Sequence, residues 1–180
     1  MRVLLVSGST RRGSANTAAL MTLAALAPPR VTPDLYGGLA GLPAFNPDDD
    51  GDALPPAAAA LRRDIAAAAG VVFCTPEYAG TLPGSFKNLL DWTVGGGEIY
   101  QKPAAWLNVA APGRGAGAAA TLALVLGYVG ATVVEPACLD IPVAKDVVTP
   151  DGKVHDPEFT KAAADFWHAF LGYLESMTAS

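Results

Sequence analysis

Short apolar runs alternate with helix-forming segments along the chain, and this alternation constrains the fold more than any other feature of the sequence. The runs that we predict as strands are 2–7, 31–36, 70–75, 104–110 and 131–141, the last of them broken at Pro136. The segments that we predict as helices are 14–27, 57–69, 84–94, 117–130 and 156–176. Strands that alternate with helices form a parallel sheet with helices on both faces. The sequence therefore predicts an α/β fold, a three-layer sandwich around a five-stranded parallel sheet.

The first and third predicted strands have the composition of buried strands. The runs 2–7 and 70–75 lack the apolar–polar alternation of a strand with one wet face. Pro33 indicates an edge position for the second strand, because proline has no N–H to donate to a neighbouring strand. Five such units fit the flavodoxin-like strand order 2-1-3-4-5, in which ligands bind outside the carboxyl ends of strands 1 and 3. We expect residues 1–180 to form one domain of this kind.

Composition argues against several classes of protein. The chain has 180 residues, of which 51% are hydrophobic and 16% charged, as in compact globular proteins. The net charge of -5 argues against nucleic-acid binding, although a local site can still bind an anion. Cys74 and Cys138 lie in apolar runs without a Cys/His cluster, so we expect free thiols and no metal site. No apolar run approaches the roughly 20 residues of a membrane span, and Met1 leads directly into a strand, which favours a cytoplasmic protein.

The loop after the first predicted strand, GSTRRGSANT at 8–17, is rich in hydrogen-bond donors. Gly8 and Gly13 have the spacing of a P-loop, but Ser14 stands where that motif has lysine, which argues against hydrolysis of a nucleoside triphosphate. The glycine pattern of dinucleotide-binding folds is also absent. Backbone N–H groups, hydroxyls and Arg11 at the start of a helix suit a terminal monophosphate. The alternative is that Ser14 only caps the helix and that the loop is a solvated turn.

The loop after the third predicted strand begins TPEYAGTLPGSFKNLLDW at 75–92. Glu77 and Tyr78 fall at the predicted crevice, and Gly80 and Gly84 allow close approach of the backbone. A phosphate site on one loop, next to an aromatic residue and backbone donors on the other, is suited to a mononucleotide cofactor with a planar ring.

Both loops resemble the motifs of the NADPH-dependent FMN reductase family. GSTRRGSANT is similar to the family's G-S-x-R-x-x-S-x-N phosphate loop, and PEYAGTLPGSFKNLLDW is similar to its P-E-Y-x-x-x-x-P-G-x-L-K-N-x-x-D-W signature. Phe86 replaces the usual leucine, and Ala79 stands where relatives often carry asparagine. The resemblance implies a flavodoxin-like fold, non-covalent FMN binding, and assembly as a homodimer or homotetramer.

The resemblance also implies site residues on three loops. Those expected to hold the FMN phosphate are Ser9, Arg11, Ser14, Asn16 and Thr17. Those expected to line the isoalloxazine ring are Pro76, Glu77, Tyr78, Ala79 and Gly80. Those expected to approach the pyrimidine side of the ring are Pro112, Gly113 and Arg114, for which a flexible turn is the alternative.

By this resemblance the protein is an FMN-dependent NAD(P)H oxidoreductase in which the flavin carries the chemistry and no protein group acts as acid or base. NADPH or NADH would deliver hydride to flavin N5, and a small acceptor would then take the electrons in a ping-pong cycle. Quinones, azo compounds, nitro compounds, metal oxyanions and free flavin remain open as acceptors. The alternatives are a flavodoxin-like electron carrier without pyridine-nucleotide activity, and a flavin-free regulatory or scaffold protein.

Other residues receive structural interpretations. Lys87, Asn88, Asp91 and Trp92 of the signature are expected to be structural, with Asp91 bound to backbone near the loop and Trp92 in the core, on a helix that also suits a subunit contact. Arg12 has two interpretations, as a solvated side chain or as a ligand for the extra phosphate of NADPH. The acidic stretch 46–52 lacks the distal glutamate of an EF-hand and is predicted to be a solvated loop.

Overall fold

A computed structural model describes residues 1–178 and contains a parallel sheet between two layers of helices. The helices are α1 (Ala15–Ala25), α2 (Pro56–Ala67), α3 (Gly84–Asp91), α4 (Ala116–Tyr128) and α5 (Pro157–Thr178). The strands are β1 (Arg2–Ser7), β2 (Thr32–Tyr36), β3 (Gly70–Cys74), β4 (Pro103–Asn108), β5 (Thr132–Val133) and β6 (Leu139–Asp140). The predicted three-layer α/β architecture is confirmed.

The strand order is β2-β1-β3-β4-β5, with every pair parallel, and it confirms the predicted topology. Strand β2 lies at the edge of the sheet, as Pro33 indicates. The predicted fifth strand region, 131–141, is broken at Pro136 as expected, but the 3-10 turn at Glu135–Ala137 divides it into two strands, β5 and β6, where the sequence predicted one. Both strands pair with β4, β5 near its start and β6 at its end, so the sheet has six strands. Pro136 lies inside this turn, where its missing N–H breaks no ladder.

Two hydrophobic cores flank the sheet. The core under α1 and α5 contains Phe166, Trp167 and Phe170, and the indole N–H of Trp167 donates to the carbonyl of Leu23 over 3.0 Å. The core under α2, α3 and α4 contains Phe86 and Trp92, among other residues. Strands β1 and β3 contribute side chains to both cores, so they are buried on both faces, as their composition predicts.

Helix α5 begins where the sequence predicts. Pro157 is its first residue, and Asp156 Oδ1 accepts a hydrogen bond of 2.9 Å from the backbone N–H of Glu158. A carboxylate at this position satisfies one of the unpaired donors of the first turn. The helix therefore starts at the predicted cap and carries its apolar face onto the first core.

The signature helix α3 holds the connection that follows β2. Asn88 accepts from the N–H of Phe45 and donates to the carbonyl of Pro43, and the indole N–H of Trp92 donates to the same carbonyl. The structural interpretation of Asn88 and Trp92 is thereby confirmed. Asp91 instead pairs with Lys87 one turn earlier on the helix.

The acidic stretch 46–52 is not a purely solvated loop, so that prediction is wrong for Asp50. Its carboxylate lies 2.6 Å from the guanidinium of Arg62, and the two side chains are only 11% and 9% exposed. Arg62 also donates to the carbonyl of Trp92. A buried arginine needs such partners, because an unpaired charge in the interior is strongly destabilising.

Candidate functional site

A cavity of about 870 Å³ lies at the carboxyl edge of the sheet, above the ends of β1, β3, β4 and β6. Its walls come from four loops: Arg11, Gly13, Ala15 and Asn16; Thr75, Pro76 and Glu77; Val109, Ala110, Ala111, Arg114 and Gly115; Val143, Ala144, Val148, Thr149, Pro150 and Gly152. This is the edge at which an open α/β sheet binds its ligands.

The loop at 8–17 leaves β1 in close contact with β3. The N–H of Gly8 donates to the carbonyl of Cys74 over 2.8 Å. A Cβ atom at Gly8 would lie 2.2 Å from the Thr75 hydroxyl oxygen, so this position accepts only glycine without a shift of its neighbour. At the other end of the loop, Ser14 is the N-cap of α1, and its hydroxyl accepts from the N–H of Asn16 over 3.2 Å.

Several donors of this loop have no acceptor within residues 1–178. Among them are the backbone N–H groups of Gly13, Ser14 and Ala15, at the N-terminus of α1. The first turn of α1 contains no acidic residue, and Arg11 adds a guanidinium that also donates to the carbonyl of Gly13 over 3.2 Å. Free N–H groups, the partial positive charge of a helix N-terminus and an arginine form a donor set that fits a terminal phosphate.

The predicted phosphate residues fall into two groups. Arg11 and Asn16 line the cavity. The hydroxyls of Ser9, Ser14 and Thr17 are engaged within the loop or with β1: Ser9 accepts from the N–H of Arg11, and Thr17 lies 2.8 Å from Ser7 Oγ. The helix cap considered as an alternative is therefore present, and the free donors are present beside it.

The loop after β3 forms a tight turn immediately beyond the cavity. Tyr78 and Thr81 exchange two backbone hydrogen bonds of 3.0 and 3.1 Å, and the residues between them, Ala79 and Gly80, have φ of 51° and 76°. This geometry is that of a type I′ turn. Alanine adopts a positive φ less readily than asparagine or glycine does. Pro76 and Glu77 line the cavity, whereas Tyr78 lies outside its lining and is 56% exposed.

Glu77 joins the loop after β3 to helix α4. Its Oε2 accepts from the N–H groups of Gly117 and Ala118, over 2.8 and 3.2 Å. The hydroxyls of Thr81 and Thr121 also lie 3.0 Å apart. A carboxylate at a helix N-terminus satisfies unpaired donors and interacts favourably with the helix dipole. Glu77 therefore serves as the N-terminal cap of α4, a role that sequence reasoning missed.

The loop after β4 is held by Asn108, the last residue of that strand. The amide of Asn108 donates to Asp140 Oδ1 over 2.6 Å and to the carbonyl of Arg114 over 3.3 Å, and accepts from the N–H of Ala110. Arg114 lines the cavity, whereas Pro112 and Gly113 are exposed and lie outside its lining. The third predicted group of residues is thus only partly brought to the cavity.

A fourth wall, formed by residues 143–152, was not predicted. Val148 and Val154 form an antiparallel bridge, and the N–H of buried Val154 donates to the Thr22 hydroxyl over 2.7 Å. The lining residues of this wall are mostly apolar. The dipeptides Val147–Val148 and Lys153–Val154 on either side of Pro-Asp-Gly are the sequence signal that marks a short hairpin here.

The family model for NADPH-dependent FMN reductases matches residues 1–146, which include three of the four walls. The chain belongs to this family. The family description names FMN as the flavin and NADPH as the reductant, in agreement with the cofactors expected from the motifs. The residues that form the tip of the hairpin, 148–152, lie beyond the matched region.

Individual relatives support the same assignment. The chain is 39% identical over 113 residues to an NAD(P)H-dependent FMN reductase from Pseudomonas aeruginosa, covering 62% of this chain and 60% of the relative. It is 40% identical over 92 residues to a 2-hydroxy-1,4-benzoquinone reductase from a Burkholderia species, covering 51% and 49%. These matches therefore span between about half and three-fifths of the relatives' length.

A solved structure matches over nearly the full chain. It is the flavoenzyme NAD(P)H:(acceptor) oxidoreductase FerB from Paracoccus denitrificans, with a TM-score of 0.79, 30% identity and 97% coverage of both chains. Within residues 1–178, no helix is both long and apolar enough to cross a membrane. The same residues contain no group of three or more His, Cys, Asp or Glu side chains arranged to hold a metal ion.

Proposed function

We propose that the chain is an FMN-dependent NAD(P)H oxidoreductase. The observation that carries this proposal is the cavity at the carboxyl edge of the sheet. There the free donors of the α1 N-terminus and Arg11 lie beside the loop that contains the turn at 78–81. FMN, when bound, supplies hydride-transfer chemistry between NAD(P)H and a second substrate. The protein supplies binding, orientation and electrostatics.

The phosphate is bound by the loop at 8–17. Arg11 and the N–H groups of residues 13–15 donate to its oxygens, and the Asn16 amide adds a donor from the first turn of α1. The hydroxyls of Ser9, Ser14 and Thr17 maintain the shape of the loop through the hydrogen bonds described above.

The isoalloxazine ring lies against the loops after β3 and β4. Pro76, Glu77, Tyr78, Ala79 and Gly80 would hold one side of the ring, and Pro112, Gly113 and Arg114 would approach its pyrimidine edge. The bonds of Glu77 to α4 and the type I′ turn give this surface a fixed shape before any ligand binds. A preformed surface reduces the entropy lost on binding.

The second substrate is a quinone, and it follows NAD(P)+ into the same cavity in a ping-pong cycle. The apolar wall of Val143, Val148 and Pro150 favours a flat, weakly polar acceptor over a metal oxyanion. Relatives named 2-hydroxy-1,4-benzoquinone reductase and quinone reductase support this class. Initial rates over a grid of NADPH and benzoquinone concentrations test the order of binding: parallel reciprocal plots agree with one shared site, and intersecting plots contradict it.

The chain forms a homodimer or homotetramer through the outer face of α4, in place of the signature helix α3 that the sequence analysis favoured. No charged residue occurs in Ala116–Tyr128, and Leu124 and Tyr128 are 61% and 86% exposed. An uncharged helix with large exposed apolar side chains is typical of a subunit contact. Light scattering at micromolar concentration should give a multiple of the chain mass. The Leu124→Glu variant should give a smaller mass, whereas the control Leu26→Glu, at another exposed leucine, should not. The mass of one chain for the unmodified protein would contradict the assembly.

Three further properties stay predictions. Residues 1–180 act as one FMN-binding domain, the protein works in the cytoplasm, and it does not bind nucleic acid. The single domain rests on the continuous sheet, and the other two rest on the sequence alone.

The visible absorption spectrum tests the proposed function. Protein reconstituted with FMN should show flavin bands that bleach on addition of NADPH or NADH without oxygen. Bands that persist would replace the oxidoreductase with an electron carrier reduced by another protein. A protein that takes up no flavin would contradict the cofactor site itself.

A further inference from the structure

Two polar side chains at the carboxyl ends of β1 and β3 lie directly beneath the loop at 8–17. Ser7 and Cys74 are register partners in neighbouring strands, and both are buried. The Ser7 hydroxyl lies 2.8 Å from Thr17 Oγ1, and the Cys74 thiol lies 3.4 Å from Asn16 Oδ1. Adjacent strands therefore support adjacent residues of the first turn of α1.

We propose that Ser7 and Cys74 are positioning residues for the phosphate site, which act through Thr17 and Asn16 without touching the ligand. This inference rests on the proposed function, because it concerns how the FMN phosphate is held. Neither residue belongs to the motifs by which the loop was found in the sequence.

The thiol determines which way the Asn16 amide points. An amide side chain has an oxygen that accepts and a nitrogen that donates, and either end can face a given partner. Because the Cys74 thiol donates to Oδ1, the Nδ2 group of this cavity-lining residue is left as the donor, and it lies 3.4 Å from Ser14 Oγ. The opposite orientation would turn a carbonyl oxygen toward an anion.

Burial keeps this thiol in the donating form. Cys74 is completely buried, and desolvation raises the pKa of its thiol well above the usual range. The thiol therefore stays protonated at physiological pH, so the orientation of the amide does not change with pH.

The Ser7 hydroxyl joins the two ends of the loop. It pairs with Thr17 Oγ1 in α1 and accepts from the N–H of Ser9 over 3.3 Å. One buried oxygen thus holds the start of the loop at a fixed distance from the first turn of the helix. The free N–H groups lie between these two points.

Equilibrium titrations of the FMN-free protein with FMN and with riboflavin, which lacks the phosphate, test the inference. Cys74→Val keeps the volume of the side chain roughly constant and removes the donor. We expect it to weaken FMN binding about threefold, the equivalent of one weak hydrogen bond, and to leave riboflavin binding unchanged. Cys138→Val, at a half-buried thiol on the β5–β6 side of the sheet, is the matched control and should alter neither affinity.

A double-mutant cycle separates positioning from packing. In an Asn16→Ala background, Cys74→Val should cause no further loss of FMN affinity, because the amide through which it acts is gone. If Cys74→Val weakens FMN binding in that background as much as it does in the unmodified protein, the inference is overturned. Should Cys74→Val not fold, Ser7→Ala with Thr17→Val forms a second cycle with the same expected result and the same criterion.

The outcome for the unmodified protein distinguishes the two proposals. If it binds FMN and riboflavin equally, the phosphate site of the proposed function is wrong. If it prefers FMN and both Cys74→Val and Ser7→Ala keep that preference at full strength, the phosphate site stands and the positioning role is wrong.

Discussion

The loops after β1 and β3 lie side by side at the carboxyl edge of the sheet, yet they use their polar groups in opposite ways. In the loop at 8–17, the N–H groups of residues 13–15 have no acceptor within residues 1–178, and Arg11 faces the cavity. In the loop after β3, the turn at 78–81 pairs its own backbone groups, and Glu77 is bound by the N–H groups of α4.

This difference separates the polar groups that can bind a ligand from those that stabilise the fold. Donors that are free in the folded protein are available to a ligand, so changes in the first loop should alter affinity and leave folding nearly intact. Donors and acceptors that are already paired contribute to the folded state, so changes to the paired groups of the second loop should alter stability, whereas changes to its exposed side chains should not. The following predictions test this division.

Arg11→Ala should have the largest effect. Loss of a charge-assisted bond to phosphate should weaken FMN binding by about 10- to 100-fold, while riboflavin binding stays constant. Fluorescence titration of each flavin measures both values. Arg12→Ala, the neighbouring exposed arginine that does not line the cavity, is the control. Equal losses for the two flavins would show that Arg11 does not recognise phosphate.

Glu77→Ala should lower the free energy of unfolding by about 1–2 kcal/mol, because two N–H groups of α4 lose their acceptor. Urea denaturation of the flavin-free protein measures this change. Glu77→Gln keeps an oxygen acceptor and should cost less. Asp165→Ala, at an exposed position of α5, should stay within about 0.5 kcal/mol. An unchanged midpoint for Glu77→Ala would mean that the cap does not stabilise the fold.

Tyr78→Ala should weaken FMN and riboflavin binding equally, by about fivefold, because an aromatic contact to the ring does not depend on the phosphate. Its side chain is 56% exposed, so stability should hardly change. The same pair of titrations provides the measurement. Unchanged affinity for both flavins would place the aromatic contact elsewhere.

Ala79→Gly should have the smallest effect and the opposite sign. Glycine accepts the positive φ of this position without steric cost, which should raise the free energy of unfolding by about 0.5–1 kcal/mol. Ala111→Gly, in the loop after β4 where φ is not positive, should lower it. Thermal denaturation compares the two variants; a loss of stability in Ala79→Gly would contradict the strain argument.

Features of the structure that depend only on residues close together in the sequence could be predicted from local patterns. The spacing of glycines, serines and Arg11 after β1, and the Asp156–Pro157 start of α5, are properties of short segments, and the structure shows the loop and the helix at those positions. The strand order followed from the alternation of elements and from Pro33.

Contacts between distant segments could not be predicted in this way. Glu77 caps a helix that begins almost 40 residues later, and Asp50 pairs with Arg62 of α2. The hairpin wall was missed because the region after 131 was interpreted as one strand followed by an unassigned connection. Its position against the cavity depends on the hydrogen bond from Val154 to Thr22, which only the folded chain brings together.

The direct test of the division between the two loops is the ratio of riboflavin to FMN dissociation constants for the unmodified protein. If the first loop binds the phosphate through Arg11 and free N–H groups, FMN should bind at least about 100-fold more tightly than riboflavin at low salt, since several charge-assisted bonds contribute. Equal dissociation constants would show that the free donors of residues 13–15 do not recognise phosphate, and would contradict the account.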